Sequence, residues 1–142
     1  ASDAGAADLR LSPWRAVYFG VPDTAAVFVL EEARDAGLIV EEDDPVLRVE
    51  ACPGAPDCKS SSVDARGDAR RLATIAAVRG YRGSIHVPGC AKGCARSLPS
   101  DLVLAGKAGA YRLIRKATTR GPVERMIGIE EFETLFDEAR DV

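Results

Sequence analysis

Four cysteines carry the chemistry available to this 142-residue chain, and they fall in two short segments, Cys52-x5-Cys58 and Cys90-x3-Cys94. None is spent elsewhere. Thiols in this number suit two disulfides, a tetrahedral zinc site or an iron–sulfur cluster. The first residues, Ala1-Ser2-Asp3-Ala4-Gly5, are polar and acidic and show no secretory pattern. Cytoplasmic, reduced thiols are therefore expected, and a metal or redox role outranks bridging. Zinc sites pair their cysteines at about two to four intervening residues, which x5 fits poorly, whereas a cluster spreads its iron corners over wider, unequal loops. The expectation is a cluster held by Cys52, Cys58, Cys90 and Cys94, with zinc or free thiols as the alternatives.

The neighbours fit that reading. Gly89, Gly93 and Ala95 keep bulk away and would let backbone N–H groups approach the sulfides of a cluster. Lys59, Lys92 and Arg96 flank the cysteines and would offset an anionic centre; the alternative for each is plain solvated charge. His86 is the only imidazole, on a strand-like Ile85-His86-Val87 four residues before Cys90. One histidine with scattered carboxylates is too few for a non-haem iron site. A structural or hydrogen-bonded role is expected for it, with contact to the cysteine ligands' surroundings or to substrate as the alternative, and it stays outside the catalytic set.

The net charge of −3 conceals three zones. Residues 1–58 hold 4 Lys/Arg against 12 Asp/Glu, residues 59–125 hold 14 against 4, and residues 126–142 hold 1 against 6. The basic middle zone surrounds the cysteines and predicts an anion-facing surface. Arg66, Arg70, Arg71 and Arg79 have an equal claim to be the wet face of a helix. No run of eighteen apolar residues exists, so no membrane span is expected.

The elements that must position the cysteines read as α+β (mixed α/β). Residues 1–8 suggest a flexible lead, and Arg15 to Phe19 a strand ending at Gly20 and Pro22. Asp23 or Thr24 can cap a helix stopped by Gly37, followed by a short strand Leu38-Ile39-Val40 and an acidic turn. Val46 to Val49 predicts a strand entering the Pro- and Gly-containing loop of Cys52 and Cys58. A helix is expected from Asp64 to Gly80, with Leu72, Ile75 and Val78 near one face, then a strand Ser84–Val87. Asp101–Ala105 and Tyr111–Lys116 form a hairpin signal across Gly106-Lys107-Ala108-Gly109. A final amphipathic helix carries Ile129, Phe132, Leu135, Phe136 and Ala139.

Cys-x5-Cys followed by Gly-Cys-x3-Cys resembles the cluster signature of the nitrite and sulfite reductase superfamily. Three stretches resemble its precorrin-3B synthase branch: Leu9-Arg10-Leu11-Ser12-Pro13-Trp14-Arg15, Ala51-Cys52-Pro53-Gly54-Ala55-Pro56-Asp57-Cys58, and His86-Val87-Pro88-Gly89-Cys90-Ala91-Lys92-Gly93-Cys94-Ala95. The resemblance runs from about Leu9 to the C-terminus. It implies a [4Fe-4S] cluster on the four cysteines and, in the reductases, siroheme iron bridged by the last of them. It also implies a ferredoxin-like half-domain at 9–45 and a cluster module at 46–142. The chain would then be the C-terminal portion of a longer enzyme, inactive alone.

The implied activity is an oxygen-dependent monooxygenase, hydroxylating precorrin-3A with lactone formation in aerobic cobalamin biosynthesis. An anionic tetrapyrrole would be substrate or cofactor, and Lys92, Arg96, Arg112 and Arg115 are the candidate residues for its carboxylates, with Arg10 and Arg15 beside Trp14 as weaker ones. The rest of the longer enzyme is the expected protein partner, with no nucleic acid or membrane. The electron donor is unspecified, and a non-haem iron would lie elsewhere in the full enzyme. The alternatives are a fragment of a siroheme/4Fe-4S sulfite or nitrite reductase, and a non-catalytic four-cysteine zinc or electron-transfer module.

Overall fold

The computed structural model describes residues 8–13 and 15–137; Ala1–Ala7 of the expected lead, Trp14 and Ala139 lie outside the described residues. The chain divides into two compact units, Ala1–Asp44 and Pro45–Val142.

In the first unit, β1 (Asp8–Leu11) pairs antiparallel with β2 (Val17–Gly20), with Leu9 opposite Phe19, and helix α1 (Asp23–Asp35) follows. Three expectations change here. Asp8 belongs to a strand, not to the lead, and Leu38-Ile39-Val40 forms no strand. An apolar run becomes a strand only where a neighbour satisfies its backbone N–H and C=O groups, and among the described residues none lies beside it. Nor do Asp23 or Thr24 cap α1: the cap position is Pro22, without a side-chain bond, and Asp23 sits in the first turn, where its charge complements the helix dipole.

The second unit is a five-stranded mixed sheet in the order β3 (Val49–Ala51), β4 (Ile85–Val87), β5 (Ser100–Lys107), β6 (Ala110–Ala117), β7 (Arg125–Ile127). The first three strands run parallel and the last three antiparallel. The expected strand at Val46–Val49 lies three residues later, because Pro45 to Arg48 close into a 3-10 turn. Helix α2 (Ala65–Val78) makes the crossover from β3 to β4. Asp64 caps it by accepting from the Gly67 N–H at 3.0 Å. Gly80 N–H to Ala77 O and Tyr81 N–H to Ala76 O close its end in the Schellman manner. β5 and β6 join through Ala108-Gly109, both at positive φ (51° and 80°), as a type I′ hairpin requires. The strands are longer than expected, and the turn is two residues.

The α2 residues Ala65, Ala69, Leu72, Ala73, Ile75 and Ala76 pack on the sheet face bearing Ile85, Leu102, Leu104, Tyr111, Leu113 and Ile127. Val78, expected near that face, is instead exposed. The C-terminal segment closes the core. It is a 3-10 turn (Ile129–Glu131) and the short α3 (Phe132–Leu135), with Phe136 tilted against Tyr81 at 5.0 Å between ring centres and Phe132 against Tyr111 at 5.6 Å. Ile129 stays exposed. The opposite sheet face holds a smaller core of Val103, Ala105 and Ile114. Burial on both faces explains why β5 reads as a continuous apolar run.

Candidate metal centre

Parallel pairing assembles the cysteines. Ala51 on β3 is opposite Val87 on β4, so both strands emit their loops at one edge of the sheet. Cys52 follows one end directly and Cys90 lies three residues beyond the other. In open sheets with parallel strands, the carboxyl ends are where ligands bind. Cys52, Cys58, Cys90 and Cys94 together line one cavity of about 350 Å³, with Asp57, Lys59 and Lys92 among its walls. All four thiols are free; Cys52 is buried, Cys58 and Cys90 half-buried, and Cys94 exposed.

Glycine brings the backbone this close. An alanine methyl at Gly89 would stand 3.3 Å from Gly54 Cα, and one at Gly106 would stand 2.5 Å from Gly89 O. The two cysteine loops and the end of β5 thus meet at three residues without side chains. Gly54 also lies at φ +73°, where its own methyl would be 2.4 Å from Ala65 N, so the Cys52–Cys58 loop rests on the first turn of α2. Ala55 N–H to Val63 O (2.8 Å) and Cys58 N–H to Gly54 O (2.7 Å) hold that loop, which contains a cis Ala55–Pro56 bond. Gly89 N–H donates to Cys52 Sγ at 3.0 Å. Side chains tie the rim: Lys92 Nζ donates to Ser60 Oγ and Gly109 N–H to Ser62 Oγ, both at 3.0 Å.

Among the described residues no three His, Cys, Asp or Glu side chains converge tightly enough to hold one ion. The cavity the four cysteines line is at the lower end of the cofactor-sized range, roughly 300–1,000 Å³.

The basic residues do not form one set. Lys92 and Lys59 line the cavity. Arg96 is half-buried and bound to Glu50 Oε2 (2.8 Å) and Pro99 O (3.2 Å). Arg112 and Arg115 lie three apart on β6 and so face opposite sides of the sheet. Arg115 pairs with Glu124 at 3.1 Å, and the Nε of Arg112 is buried without a partner. Arg10, on the first unit, pairs with Asp8, and Arg15 stands at φ 60° between β1 and β2. On α2, Arg66 and Arg70 are exposed; Arg71 lies over the Phe132 ring at 5.8 Å and Arg79 pairs with Asp137.

His86 is fully buried, and among the described residues neither ring nitrogen has a hydrogen-bond partner. Of the roles expected for it, the hydrogen-bonded one is not realised among the described residues. Burial holds its pKa below the ordinary value, with Glu50 pulling up and Arg96 pulling down. Sequence reasoning missed Glu50, whose two-residue offset from Cys52 is its only signal. It also missed the buried Tyr111 hydroxyl, which donates to Asp68. Asp68, Asp64 and Cys52 all push the Tyr111 phenol upward after burial itself.

No family model matches the chain. It is similar to a precorrin-3B synthase from Sinorhizobium sp, at 36% identity over 120 residues, covering 82% of this chain and 26% of that protein. The chain thus spans about a quarter of the length of that curated relative. Its fold is similar to the NirA protein of Mycobacterium tuberculosis, with a TM-score of 0.74 and 17% identity, covering 99% of this chain and 31% of that one.

Proposed function

We propose that this chain, a homologue of precorrin-3B synthase over 120 residues, is the iron–sulfur portion of an oxygen-dependent monooxygenase of that type. Residues 46–142 form its cluster module and residues 9–45 a ferredoxin-like half-domain. Its enzyme hydroxylates an anionic tetrapyrrole in aerobic cobalamin synthesis. The observation that carries this reading is the convergence of Cys52, Cys58, Cys90 and Cys94 on one cavity.

The residues fit a [4Fe-4S] group. Four thiolates are its ordinary ligands, and the Cys-x5-Cys spacing suits a cluster better than a single zinc ion. When bound, the cluster supplies one-electron transfer. The chain's own groups do the rest. Gly89 N–H stabilises negative charge on Cys52 Sγ. Lys59 and Lys92 place two ammonium groups on the wall, against an anionic cluster and the carboxylates of a tetrapyrrole. Pro53 and Pro88 make part of the wall apolar, which limits water. The remaining length of the enzyme is its structural partner, and the cytoplasm its compartment.

The test is anaerobic purification followed by iron, acid-labile sulfide and zinc analysis, with a visible spectrum. Iron and sulfide in equal amounts, lost on Cys90→Ser, are expected. A siroheme band would move the assignment to a sulfite or nitrite reductase, and zinc without sulfide to a non-catalytic four-cysteine module.

A further inference from the structure

His86 sits where the cluster module has least reason to keep an unsatisfied polar group. It is 0% exposed, and neither Nδ1 nor Nε2 has a partner among the described residues. Leaving a buried donor or acceptor unpaired costs on the order of 1–3 kcal/mol. Phenylalanine or leucine would fill such a place without that cost. Yet the imidazole stands directly behind the cavity: an alanine methyl at the cavity-lining Gly93 would lie 3.6 Å from His86 Cε1.

The groups around it are few. Glu50 on β3 is its partner in the parallel register, and its carboxylate is taken by Arg96 from the loop after Cys94. From β5 it faces Val103, which cannot titrate. Over Gly93 lies Thr119 of the β6–β7 connection. Among the described residues, the imidazole is thus the one group of this compartment not already committed to a charge or a bond that can gain a proton near neutral pH.

We propose that His86 is the proton partner of the group held by the four cysteines, taking up one proton at a ring nitrogen when that group gains one electron and releasing it on reoxidation. The electron comes from an external one-electron reductant and the proton from solvent, so the net charge of the compartment is unchanged. This rests on the cluster reading above. Its physical basis is the low dielectric of the site, in which an added negative charge is costly unless a nearby positive charge appears with it.

The test is the midpoint potential of the purified, cluster-bearing protein, followed by electron paramagnetic resonance from about pH 5 to pH 8. The potential should fall by about 59 mV per pH unit within part of that range, the tenfold change in proton concentration converted for a one-electron couple. In His86→Gln it should be flat. Because His86 is the only histidine of the chain, a ring-15N label also reads it in the unaltered protein. Redox-difference infrared spectra should show imidazole turning to imidazolium on reduction, even if the variant fails to fold. A flat potential in the unaltered protein, a slope that survives in His86→Gln, or no histidine band on reduction overturns the proposal. A protein without iron or sulfide overturns the cluster reading and this inference together; a cluster with a flat potential overturns this inference alone.

Discussion

Replacing Gly54 by alanine separates two costs that the site combines. At φ +73° any side chain pays the left-handed penalty, about 1–2 kcal/mol. The new methyl would also lie 2.4 Å from Ala65 N and 2.9 Å from Ala65 Cβ. Ala65 is fully buried, so the Cys52–Cys58 loop must lift off α2. Overpacking of that kind costs about 1–3 kcal/mol. Gly109 is the internal control, with φ +80° and nothing within 4 Å of its methyl position. Gly109→Ala should therefore cost about 1–2 kcal/mol and Gly54→Ala about 2–5 kcal/mol. For a domain of this size, each kcal/mol lowers Tm by roughly 4–8 °C. Thermal unfolding of both variants, paired with iron content after anaerobic purification, is the assay. Gly54→Ala should lose iron as well as stability, and Gly109→Ala should keep its iron. Equal destabilisation within about 0.5 kcal/mol, or full iron content in Gly54→Ala, would show that the loop does not need its seat on the helix.

Other outcomes follow from single groups. Tyr111→Phe strips the hydroxyl from a buried ring and leaves Asp68 without its donor, so urea unfolding should show a loss of about 1–3 kcal/mol; an unchanged midpoint counts against the pair. The Asp101 carboxyl is held below its ordinary 3.8, first by the backbone N–H of Ser84 and then by the Ser84 hydroxyl. A depressed carboxyl contributes stability above its unfolded pKa and loses it as pH falls through the folded one. Asp101→Asn should accordingly flatten the stability–pH slope below about pH 4, and an identical slope would remove Asp101 as its source. Lys59→Gln with Lys92→Gln should weaken binding of a polycarboxylate porphyrin and reduce the salt dependence of that binding, read by absorbance titration; unaltered affinity would take the tetrapyrrole away from this cavity.

Local signals carried most of the second unit. Asp64, the apolar spacing through Leu72 and Ile75, and Gly80 define α2 within its own residues. The hairpin is equally local, because Ala108-Gly109 must turn between two apolar strands. What escaped was non-local. β7 is three residues long and exists only because β6 offers an edge, with Leu113 opposite Arg125. β1 is similar, since its Leu-x-Leu alternation is too short to stand out. Leu38-Ile39-Val40 erred the other way, having strand composition without a neighbour. The cysteines were legible by type and spacing, but their meeting depends on the β3–β4 register, which no window of sequence contains. The basic residues were legible as a zone only. Pairing with Glu50 and Glu124, and the alternation of β6, sent Arg96, Arg115 and Arg112 to separate tasks.

The crossover helix between the two cysteine loops also sets an order of events. Cys58 and Cys90 are separated by all of α2 and β4, so until β3 and β4 pair in parallel the chain carries two disconnected thiol pairs. Such long-range parallel pairing is among the slower steps of folding. Assembly of the proposed metal centre would thus follow the folding of the sheet and report its completion. Cells or refolding mixtures that supply iron and sulfide before that step offer them to half-sites, where each pair is open to oxidation or to stray zinc.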